Sequence, residues 1–115
     1  GADYIITQMF FDNSKFFQFK DLCEKKGINV PIIPGLKPIS TLKQINLIPH
    51  RFHCDLPEDL IKALIKCKDN SEARQVGIEW CIQQSKELFD AGVPFLHYYS
   101  MGRSSNIKSV AEAIF

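Results

Sequence analysis

Three side chains in this sequence combine ligand-binding chemistry with a suggestive place in the chain: Gln8, Gln44 and Arg103. Gln8 follows the apolar run Tyr4-Ile5-Ile6 and Thr7. A carboxamide offers an acceptor and two donors without adding charge. At the carboxyl end of a strand in a parallel α/β fold it stands where ligands bind; its other role there would be to cap a backbone group. Gln44 lies one turn past Ser40 on the helix after the second strand, and on local grounds reads as a solvated helix residue. Arg103, in Met101-Gly102-Arg103-Ser104-Ser105, follows the third strand. Its guanidinium fork can hold a carboxylate through two parallel hydrogen bonds, against the simpler role of an exposed loop arginine. His97, within Phe95-Leu96-His97-Tyr98-Tyr99-Ser100, can serve as a general acid or metal ligand, but a histidine inside an apolar strand is more often a satisfied core residue. Tyr99 stands nearer the strand's carboxyl end. His50, His53 and Cys54 are zinc-type donors; with no second pair at a supporting spacing, no metal is expected.

These residues need a scaffold. Ile5 and Ile6 are β-branched and suit a strand covered on both faces. A second strand is read over Val30-Pro31-Ile32-Ile33-Pro34-Gly35 and a third over Phe95–Ser100. A helix from about Ser14 to Lys26 is capped by Asn13 or Ser14, places Phe16, Phe19 and Cys23 on one face with Leu22, and stops at Gly27. Ser40 or Thr41 caps a helix bearing Leu42 and Ile45, which Pro49 ends. Pro57 opens another at its first position, with Glu58 and Asp59 at the positive end of the dipole and Leu60, Ile61, Leu64 and Ile65 as its stripe. Ser71 caps the longest helix, with Ala73, Val76, Gly77, Trp80, Cys81, Gln84 and Leu88 at helical spacing, and Gly92 stops it. Asn106 to Phe115 is read as a last helix. Alternating strands and helices predict parallel strands with right-handed crossovers.

At 115 residues the chain fits one domain at most. A formal net charge of +1 gives no electrostatic footprint for nucleic acid or an anionic membrane, and no apolar run approaches the ~20 residues of a membrane span. Gly1-Ala2-Asp3 leads directly into a strand with no signal-peptide pattern, so a cytoplasmic location is expected. Cys23, Cys54, Cys67 and Cys81 form no Cys-x-x-Cys pair and are read as reduced small hydrophobes.

Three segments, in this order, are Ile6-Thr7-Gln8-Met9-Phe10-Phe11-Asp12, Ile32-Ile33-Pro34-Gly35-Leu36-Lys37-Pro38-Ile39-Ser40 and Leu96-His97-Tyr98-Tyr99-Ser100-Met101-Gly102-Arg103. With them the chain resembles the C-terminal part of the methylenetetrahydrofolate reductase family over nearly its whole length. The resemblance implies a fold class of α/β, with residues 1–115 as the C-terminal portion, about three βα units, of a TIM (β/α)8 barrel. It implies substrate-binding roles for Gln8 on the pterin, Gln44, and Arg103 on the glutamate tail. Ile48 is a weaker candidate, standing where some relatives have an aromatic on the aminobenzoyl ring; Gly102 departs from the asparagine that many relatives have. The implied activity is reduction of methylenetetrahydrofolate by NADH or NADPH through FAD. The family's proton-donating glutamate and most flavin contacts come from earlier strands, so no residue here is expected to be catalytic.

The resemblance further implies a fragment, inactive alone, of an enzyme expected to be a homo-oligomer. Its two open strand edges should pair with a missing N-terminal barrel half or drive self-association. Two other readings remain: a non-enzymatic, self-associating βα module, and a barrel enzyme acting on another anionic heterocycle.

Overall fold

Ile5 and Ile6 form the first strand, β1 (Ile5–Ile6), of the computed structural model, which describes residues 3–52, 55–99, 108 and 110–113. The chain continues through α1 (Asn13–Lys25), β2 (Ile32–Ile33), β3 (Gly35–Leu36), α2 (Gln44–Phe52), α3 (Glu58–Ile65), α4 (Asn70–Asp90) and β4 (His97–Tyr98). Both strand pairs are parallel, as the βα rhythm predicts: Ile5 lies opposite Ile32 and Ile6 opposite Ile33, then Gly35 opposite His97 and Leu36 opposite Tyr98. The second strand, expected as one piece, divides at Pro34. Its first half pairs with β1 and its second with β4. Proline has no N–H to donate, but the Pro34 carbonyl accepts from the His97 amide at 2.9 Å. The segment thus joins the two outer strands by changing neighbours rather than by a continuous ladder.

Helices cover these two strand pairs through two apolar clusters. In one, Met9, Phe11, Ile39 and Ile48 pack with Leu56, Leu60, Leu64 and Ala73. In the other, Phe10, Phe16 and Leu36 pack with Ile78, Cys81, Leu88, Val93 and Val110. Phe10 and Phe11 point to opposite clusters, as successive residues of an extended segment do. The long helix α4 contributes to both. At Gly77 it touches backbone: an added Cβ would lie against the Ile39 carbonyl oxygen and 2.7 Å from its carbon.

Several boundaries differ from the sequence expectation. Asp12, rather than Asn13 or Ser14, caps α1, accepting from the Ser14 amide at 3.0 Å and its hydroxyl at 2.7 Å. Asp69, rather than Ser71, caps α4, accepting from the Glu72 amide at 3.0 Å. In both places the cap is the extended residue that precedes the first helical one. Pro57 occupies the cap position of α3 instead of its first turn. Pro49 lies inside α2 and does not end it. Gly27 and Gly92 take φ of 78° and 90° and stop α1 and α4 as expected. Residues 108 and 110–113 are helical. His53, Cys54 and Arg103 lie outside the described residues. Among the described residues no helix is long and apolar enough to cross a membrane.

Candidate functional site

Residues 7–10 leave β1 without regular structure and precede the Asp12 cap of α1. Gln8 is exposed there. It lines a hollow of about 300 Å³ with Met9, Asp12, Lys15, Asp55 and Leu56. A second hollow, about 260 Å³, joins it to Thr7, Phe10, Phe16 and Phe19, with Lys15 again at the edge. Phe10 and Phe16 stack with ring centroids 5.7 Å apart. The space around Gln8 thus has an apolar aromatic wall and a rim of one cation and two carboxylates. Such a site suits a flat ring with a hydrogen-bonding edge.

The strand ends on either side are tied together. The Tyr99 hydroxyl donates to the Thr7 carbonyl at 2.8 Å, and the Gly35 amide donates to Thr7 Oγ1 at 2.9 Å. Gly35 permits this approach, because a Cβ there would lie 2.5 Å from Tyr99 Cε2 and 2.6 Å from the Thr7 carbonyl oxygen. Residue 7 is therefore fixed by both β3 and the segment after β4. Beyond Gln8, the Trp80 indole donates to the Phe11 carbonyl at 2.8 Å and Gln84 Nε2 to the Phe10 carbonyl at 3.2 Å.

The remaining candidates fall in different surroundings. Gln44 is 7% exposed, so it is not the solvated residue its local pattern suggests. Its Oε1 accepts from the Ser40 and Thr41 amides at 2.7 and 3.2 Å, holding the turn into α2. Ile48, 1% exposed, lies in the core and packs there rather than lining either hollow at Gln8. His97 sets its ring edge-to-face against Tyr99, centroids 4.6 Å apart. Among the described residues no group of three metal-ligating side chains comes together.

Burial governs the titrating groups that are shifted. Desolvation lowers the Lys37 ammonium below its ordinary value just past β3. It raises the Tyr98 phenol, against which a hydrogen bond with Ser85 works in the opposite direction. It pushes the Cys81 thiol up to about 12, so this cysteine is an inert part of the core.

Thr7, Trp80 and Gln84 were not marked as site residues by the sequence. Their spacing reports a strand end and a helix face, whereas their roles depend on which carbonyls lie within reach. Trp80 and Gln84, at i and i+4 on α4, were the nearest signal: a helix face bearing two donors among its apolar positions.

Residues 1–114 match the family model described as methylenetetrahydrofolate reductase. Methylenetetrahydrofolate reductase 1 of Schizosaccharomyces pombe is 31% identical over 99% of this chain and 19% of its own length. The probable methylenetetrahydrofolate reductase (NADPH) of Caenorhabditis elegans is 34% identical, over 99% of this chain and 18% of that protein. The 5,10-methylenetetrahydrofolate reductase of Escherichia coli K12 is 33% identical, over 99% of this chain and 39% of its own. The chain thus spans about a fifth of the first two relatives, at 19% and 18%.

Proposed function

Because the chain belongs to the methylenetetrahydrofolate reductase family, we propose that it is the folate-binding, C-terminal portion of a (β/α)8 barrel that reduces 5,10-methylenetetrahydrofolate to 5-methyltetrahydrofolate. The observation that supports this most is the exposed Gln8 carboxamide, borne on a main chain tied at residues 7, 10 and 11, beside an aromatic-walled hollow. A pterin presents a donor–acceptor edge, and a neutral carboxamide can pair with it without charge. Arg103 would meet a carboxylate of the glutamate tail. Gln44, with its Oε1 engaged by Ser40 and Thr41, would offer the folate its amide hydrogens. Ile48 would support the site from the core beneath.

The whole enzyme would use NADH or NADPH as reductant and FAD as the redox carrier. A flavin supplies hydride transfer, while the protein supplies binding and orientation. The two hollows at Gln8 do not fit a flavin dinucleotide by themselves. The hollows at Gln8 have one cation, Lys15, beside Asp12 and Asp55, a poor donor set for a diphosphate. Residues elsewhere in the enzyme would hold the cofactor, and this portion alone would be inactive. The sides of β1 and β4 that pair with no strand among the described residues would be covered by the rest of the barrel, or by a second copy when that is missing.

The test is the visible spectrum of the full-length protein. A bound flavin should bleach with NADH or NADPH and recover when methylenetetrahydrofolate is added. A colourless protein, or a reduced flavin indifferent to folate, would contradict the proposal.

A further inference from the structure

Main-chain carbonyls between a strand and a helix have no ladder amide to donate to them, and buried ones require a partner. Residues 10 and 11 occupy such a connection, and both side chains are buried. Their two carbonyls are taken by side chains from one face of α4. Trp80 Nε1 donates to Phe11 at 2.8 Å and Gln84 Nε2 to Phe10 at 3.2 Å. Positions i and i+4 of a helix are neighbours, so the two donors address adjacent residues of the extended segment.

Gln84 is itself aimed. Its Nε2 also donates to Asn13 Oδ1 at 3.1 Å, while Asn13 Nδ2 donates to the Gln84 carbonyl at 3.1 Å and to Glu87 Oε1 at 3.2 Å. This arrangement leaves Gln84 Oε1 buried with no hydrogen-bond partner among the described residues. A position chosen for packing alone would avoid an orphaned acceptor, since methionine or leucine fills similar space without one. The donors to the Phe10 carbonyl and to Asn13 Oδ1 are what glutamine adds here.

Neither Trp80 nor Gln84 lines the two hollows that Gln8 lines. We infer that they are positioning residues for Gln8: by fixing the carbonyls of residues 10 and 11 they set the direction in which the carboxamide leaves the main chain, and so raise the affinity for folate without touching it. Tyr99 and Gly35 hold residue 7 on the other side. Gln8 thus lies on a segment held at residue 7 on one side and at residues 10 and 11 on the other, in keeping with a rigid site. This inference rests on the reading that Gln8 meets the folate.

The test uses the full-length enzyme and a double-mutant design. Trp80→Phe and Gln84→Met each remove a donor and keep the bulk. Equilibrium binding of 5-methyltetrahydrofolate is measured by calorimetry, with the KM for the nicotinamide and the unfolding temperature as further readouts. Each variant should weaken folate binding about tenfold, leaving the nicotinamide KM unchanged. Added to Gln8→Ala, neither should weaken binding further, because the group they orient is gone. Additive losses would overturn the inference, as would unchanged affinity in Trp80→Phe and Gln84→Met alongside a loss in Gln8→Ala. If Gln8→Ala itself binds folate normally, the underlying reading of Gln8 fails, and this inference with it.

Discussion

Gly77→Ala sets two effects of opposite sign against each other. In the middle of α4, alanine is favoured over glycine by about 1 kcal/mol of helix propensity. The added Cβ, however, would lie against the Ile39 carbonyl oxygen, 2.7 Å from its carbon and 2.8 Å from its nitrogen. Comfortable carbon contacts begin near 3.5 Å, so backbone must separate by most of an ångström. Ile39 is itself buried, and the turn it belongs to is held by Gln44. Overpacking costs roughly 1–3 kcal/mol, and backbone against backbone belongs at the upper end. The balance is a net loss of about 2 kcal/mol. With a urea slope of about 1–3 kcal/mol per molar, the unfolding midpoint of the full-length protein should fall by about 1 M. Urea titration followed by circular dichroism measures it. A midpoint that stays put or rises would mean that propensity outweighs the contact and that α4 does not press on the residue-39 turn.

Three further outcomes follow from the same geometry. Leu60 is fully buried between α3 and the first cluster, so Leu60→Ala should cost about 2–5 kcal/mol in denaturant unfolding, and a loss below 1 would refute its core placement. Removing the α4 cap with Asp69→Ala should cost about 1 kcal/mol, whereas Ser71→Ala should cost less than half of that; equal losses would contradict the observed cap. The Cys81 thiol is raised from 9.0 to about 12 by burial, so the unfolded chain releases its proton first as pH rises. Its contribution to stability is fully present below about pH 9 and is lost as pH climbs towards 12. The urea midpoint should therefore fall between pH 9 and 10.5, and fall less in Cys81→Ala; identical slopes would refute this origin.

Much of the fold was legible because it rests on local chemistry. Ile5-Ile6 and Ile32-Ile33 are strand residues by type, the stripe of α3 has helical spacing, and Gly27 and Gly92 adopt the positive φ that makes them stops. What was not legible depends on distance in space. The pattern of residues 30–35 reads as one strand, but the change of partner at Pro34 is set by where β4 lies. Ser71 is as good a cap by type as Asp69, and only the backbone direction before α4 decides between them. At the candidate site, Gln8 could be placed at a strand end from pattern alone. That Gln44 closes its own turn, and that Trp80 and Gln84 grip the chain beside Gln8, required the carbonyls and amides to be in place.

The most direct measurement is folate binding by the full-length protein with Gln8 replaced. Calorimetric titration with 5-methyltetrahydrofolate should show about a tenfold loss or more for Gln8→Ala, near the 1.4 kcal/mol of one decade in affinity. Unfolding temperature should be unchanged, because Gln8 is exposed. Gln8→Ala binding folate as tightly as the parent would contradict the account at its centre.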